Sequence, residues 1–90
     1  METEKHLNKI DLTTFILSIS SAAFMGLGLG PTETGGSKID LDLARQNIDL
    51  LELMHEKTRG NRTPEEDRLL EQLLFETRLR YVEAKKRSTQ

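Results

Sequence analysis

Glu52 and His55 stand three residues apart, the spacing at which one helix face offers a carboxylate and an imidazole to a di-iron centre. One copy is half a site: a dimer could bring two copies together, but a complete centre also takes inward Glu residues from two further helices, and the only other histidine, His6, lies in the N-terminal arm. Glu52 also belongs to the charged half of its helix. The pair reads as a surface carboxylate beside a histidine at the edge of a packing face, and no metal or cofactor is expected. With two His and no Cys, the chain has no thiolate nucleophile and no dyad that spacing would assemble. The expectation is a protein that is not an enzyme.

Three shorter signals have simpler explanations. Gly26, Gly28 and Gly30 alternate with leucines like a phosphate-cradling loop, but they close a helix, where a dinucleotide site needs a strand before the glycines and a helix after them. Asn61-Arg62-Thr63 matches a glycosylation sequon and is read as a turn followed by a helix cap. Lys85, Lys86 and Arg87 complement the negative end of a helix dipole. The chain as a whole carries 13 Lys and Arg against 15 Asp and Glu, a net charge of −2, which excludes a strongly basic nucleic-acid binder.

The elements that position these residues follow from caps and breakers. Ninety residues limit the chain to one domain, and a hydrophobic share of 36% makes a thin core. Residues 1–10 form a charged arm, 11–87 a single helical domain, and 88–90 a frayed tail. Asp11 caps a first helix from about Leu12 to Leu27 or Leu29, with Ile10 and Phe15 at the spacing of a hydrophobic staple. Pro31 prevents its continuation. Asp40 caps a second helix that runs to Gly60, and Thr63-Pro64-Glu65-Glu66 opens a third with a capping box. The third should continue to about Lys86. The short link between the last two turns them back on each other as an antiparallel hairpin. Fifteen Leu and five Ile against one Val favour helices over strands.

At 100° per residue the second helix is one-sided, with Leu41, Leu43, Ala44, Ile48, Leu50, Leu51 and Met54 in its apolar half. Asn47 lies amid that half, where an amide can fix register at an interface. The third helix carries two apolar stripes: Leu69, Leu70, Leu73, Leu74, Tyr81 and Ala84 on one side, and Phe75, Leu79 and Val82 nearly opposite. The first lacks a charge from Leu12 to Thr32 and requires burial all round. Ser18, Ala22, Gly26 and Gly30 recur on it every four residues as a groove of small side chains. Three helices cannot enclose one of their own members and also cover both sides of another, so a second copy is needed. The interface is expected at Ser18, Ala22, Gly26, Asn47, Phe75, Leu79 and Val82. The other use of an uncharged helix, docking on or in a bilayer, is disfavoured by its threonines, serines and glycines and by the lack of a basic flank.

The stretch FILSISSAAFMGLG followed by DLARQNIDLLELMHEKTRGNRTPEEDRLLEQLLFETRLRYVEA resembles a bacterial family of small proteins, the domain of unknown function numbered eighteen-forty-four. The likeness runs from about Thr13 to Lys86 and is most specific at Leu43–Gln46, Lys57–Asn61 and Thr63–Glu66. The resemblance implies a bacterial, cytoplasmic helical protein and supplies no activity, cofactor or catalytic residue. The combined expectation is an all-α, three-helix protomer assembled into a homo-oligomeric bundle, a structural or interaction module open to further protein partners.

Overall fold

A computed structural model describes residues 10–29 and 38–88. The charged arm with His6, the centre of the loop after Gly30, and the last two residues lie outside the described residues. Three helices are present in the order α1 (Leu12–Gly26), α2 (Leu41–Lys57) and α3 (Pro64–Ser88), with no strand among the described residues.

Each helix starts where a side chain can accept from the free amides of a first turn. Asp11 Oδ1 accepts from Thr14 N–H at 2.9 Å, and Asp40 Oδ1 from Leu43 N–H at 3.1 Å. At the head of α3 the box is reciprocal: Glu66 N–H donates to Thr63 Oγ1 at 3.1 Å while Thr63 N–H donates to Glu66 Oε1 at 2.8 Å. The expected staple at the head of α1 does not close, because Ile10 is 78% exposed and Phe15 half-exposed.

The ends are set by glycine. Gly28 at φ +79° turns the chain just past α1, and Gly60 at φ +84° turns it after α2, conformations that cost an L side chain roughly 1 kcal/mol or more. α1 therefore stops at Gly26, short of the Leu27 or Leu29 expected, and α2 stops at Lys57 with Thr58 as its cap, before Gly60. At 15 residues α1 spans about 22 Å, against the roughly 30 Å of a bilayer core. No described helix is long and apolar enough to cross a membrane.

Packing divides into two clusters along the helices. Ile16, Leu51, Met54, Leu70 and Leu74 form one, near the α2–α3 turn, and Leu27, Ala44 and Ala84 form the other. Between them in sequence each helix places one buried polar residue: Ser20 on α1, Asn47 on α2 and Thr77 on α3. Thr77 Oγ1 donates to Leu73 O at 2.8 Å, and Asn47 Nδ2 to Leu43 O at 2.9 Å, so these two groups stay bonded within their own helices. The molecule measures 51 × 33 × 17 Å, a slab less than two helix diameters thick. No helix in such a slab is surrounded by the others.

Candidate interaction surface

The α2–α3 hairpin is antiparallel, and its polar edge shows the register. His55 Nε2 lies 2.6 Å from Glu71 Oε2, and Arg78 Nε donates to Glu52 Oε2 at 2.9 Å. Two turns toward the N-terminus of α2 from Glu52, Arg45 meets the Tyr81 hydroxyl and its helical neighbour Asp49, and these two contacts raise the guanidinium pKa above its ordinary value.

These contacts account for the Glu52 and His55 signal of the sequence. Each side chain has a partner on α3, Arg78 for the carboxylate and Glu71 for the imidazole. No group of three or more metal-ligating side chains occurs among the described residues.

Beyond the polar edge lies the bare face of α3. Phe75 is 66% exposed, Val82 50% and Leu79 42%, while Leu70, Leu74, Thr77 and Ala84 on the opposite side are buried. Glu71 and Arg78 complete the walls of a shallow depression of about 380 Å³ over this face. A second depression, of about 350 Å³, shares Arg78 and Val82 with it and continues to Arg45, Ile48, Asp49, Glu52 and Tyr81. The two form one open surface, an apolar ridge bordered by ion pairs, and the shape suits a flat partner better than a small molecule, which needs enclosure.

The residues expected at an interface divide into two groups. Phe75, Leu79 and Val82 come together on this ridge, and on α1 Ser18 is exposed with Ala22 half-buried beside it. Gly26 and Asn47 are instead taken up inside the protomer. Gly26 lies so close to the start of α2 that a β-carbon there would sit 2.6 Å from Ala44 N, and its carbonyl accepts from Asp40 N–H at 2.7 Å. Asn47 is only 9% exposed, on the side of α2 that faces the core. The groove of small residues thus opens outward at Ser18 and Ala22 and closes on α2 at Gly26; Gly30 lies outside the described residues. In the apolar half of α2, Leu43 and Leu50 are more than a third exposed, as is Leu53, which continues their stripe on the side away from the ion pairs.

Arg62 was missed by sequence reasoning. Its side chain, 8% exposed, reaches back to donate to His55 O at 2.7 Å and Thr58 Oγ1 at 2.9 Å, and forward to Asp67 Oδ1 at 2.7 Å. One guanidinium thereby joins the last turn of α2 to the first turn of α3. Its place directly before a capping threonine carries no signal of this, because a guanidinium's reach depends on a turn geometry that pattern alone does not supply.

The family model described as Domain of unknown function (DUF1844) matches residues 9–83, which takes in all of α1 and α2 and most of α3. No curated protein and no solved structure matches the chain.

Proposed function

Because the chain belongs to DUF1844, a family that brings no activity with it, we propose on geometric grounds that it is a non-catalytic helical module that associates with copies of itself in the bacterial cytoplasm. The observation that carries this reading is the ridge of Phe75, Leu79 and Val82, which a single protomer leaves in water on the side of α3 turned from its core. Exposing one large apolar side chain instead of burying it forgoes about 1.5–3 kcal/mol, and a small thin core has little surplus to offset three of them. A partner surface recovers that energy. Half-exposed Phe15, Leu17 and Met25 on α1 add to the demand.

Docking of α1 on a bilayer is the competing use of the same exposed apolar groups. Interfacial helices pair an apolar face with a basic one, and α1 contains neither lysine nor arginine. Light scattering behind a sizing column tests the proposal: a mass of at least twice 10.3 kDa is expected, and a 10.3 kDa particle at micromolar concentration overturns it.

A further inference from the structure

The charges along α3 indicate what covers its bare face. Before Phe75 the helix carries four acidic residues, Glu65, Glu66, Asp67 and Glu71, against Arg68 alone. After it come five basic residues, Arg78, Arg80, Lys85, Lys86 and Arg87, against Glu76 and Glu83. The apolar ridge runs from Phe75 to Val82, across the change of sign. A helix with this same distribution, laid alongside in the same direction, would set acid on acid and base on base. Laid in the opposite direction, it brings the basic end of each copy toward the acidic half of the other and opposes the two macrodipoles favourably. The helix therefore complements its own reverse.

We propose that the occupant of this face is α3 of a second copy, running antiparallel about a two-fold axis that passes beside Arg78 and Leu79. The proposal rests on the self-association reading and specifies its surface. About that axis Phe75 faces Val82 of the second copy, and by symmetry Val82 faces Phe75, so the contact is closed and isologous. Glu71 falls opposite Lys86 of the second copy, again twice. The two Arg78 side chains that approach at the axis are each held by Glu52 of their own chain at 2.9 Å, which offsets their repulsion. About this axis the two α3 helices overlap over residues 69–88, about 30 Å of length for the contact.

The chain has no cysteine, so single introduced cysteines report the geometry without interference. Under mild oxidation Leu79→Cys, adjacent to the axis, should cross-link into a covalent dimer. Val82→Cys should remain reduced, because its two copies lie about seven residues apart along the helix, roughly 10 Å, beyond disulfide reach. Phe75→Glu should reduce the particle to 10.3 kDa with its helical circular dichroism retained, since the side chain is in water within the protomer. Cross-linking at Val82 as readily as at Leu79 would mean a parallel pair and overturn the proposal. An oligomeric parent that shows no cross-link at Leu79, or that dissociates with Ala22→Leu but not with Phe75→Glu, would place the contact on α1; this overturns the α3 pairing and leaves self-association standing. A parent that is itself monomeric removes both.

Discussion

Gly26 and Ala44 hold α1 and α2 at backbone contact: a β-carbon built on Gly26 would lie 2.6 Å from Ala44 N and 3.0 Å from both Ala44 Cα and Asp40 O. All three obstructing atoms are backbone, so no side-chain rotation relieves the clash. Gly26→Ala is expected to destabilise the protomer by about 1–3 kcal/mol, although alanine is the better helix former. A melting temperature equal to the parent's would mean that the two helices do not approach this closely. Gly60→Ala provides the contrast, because nothing lies within 4 Å of its added carbon and the cost comes from φ +84° alone, about 1 kcal/mol.

Asn47 offers a gain in stability. Its amide nitrogen is bonded to Leu43 O in its own helix, while neighbours Ala44, Ile48 and Leu51 are buried and apolar. Asn47→Leu exchanges one side chain–backbone bond, worth about 1 kcal/mol net, for burial of a full aliphatic side chain worth about 1.5–3 kcal/mol. Thermal denaturation should show a rise in melting temperature. Unchanged mass is expected as well, since a bond kept within α2 sets no register with another chain. A broadened oligomer distribution would instead give Asn47 the register role that its position in the sequence pattern suggests.

What could be read from the sequence was local. Asp11, Asp40 and the Thr63–Glu66 box have their partners three residues away, so type and spacing suffice to place them. The two stripes of α3 were legible for the same reason, because helical periodicity alone separates Phe75 from Leu74 and Leu70. Contacts between elements were not. The spacing of Ser18, Ala22 and Gly26 describes a line on one helix without saying what lies against it, and the structure sets α2 against its last member only. Periodicity likewise put Leu43 and Leu50 in the apolar half of α2, but in a slab part of each helix stays uncovered, and both are more than a third exposed.

Glu52 and His55 should not respond to metal. A divalent cation at this pair would have to displace Arg78 from the carboxylate and Glu71 from the imidazole, and no group of three metal-ligating side chains stands among the described residues to receive it. Adding zinc or iron(II) in slight excess should leave the melting temperature where it is, because a ligand stabilises a fold only in proportion to its binding. A rise of several degrees that Glu52→Gln abolishes would show a genuine site.

Arg62 is the residue on which the hairpin turn depends most. Its guanidinium satisfies His55 O, one of the carbonyls left without an intrahelical donor at the end of α2, and braces Thr58, whose hydroxyl in turn donates to Met54 O at 2.7 Å. Its bond to Asp67 draws the first turn of α3 against that end. Arg62→Ala removes all of these at a side chain only 8% exposed, leaving the part-buried His55 O and Thr58 Oγ1 without this donor. Asp67 is half in water, so the ionic part is worth no more than about 1 kcal/mol, and the bonds to His55 O and Thr58 supply the rest of a total near 2 kcal/mol. In a chain of this size that lowers the melting temperature by on the order of 10 °C. Arg62→Lys should recover only part of the loss, because a single ammonium cannot reach back to α2 and forward to α3 at once. Full recovery by lysine would reduce the clasp to simple charge attraction between residue 62 and Asp67, and a double-mutant cycle with Asp67→Asn would then account for the entire effect, where the geometry expects it to account for less than half.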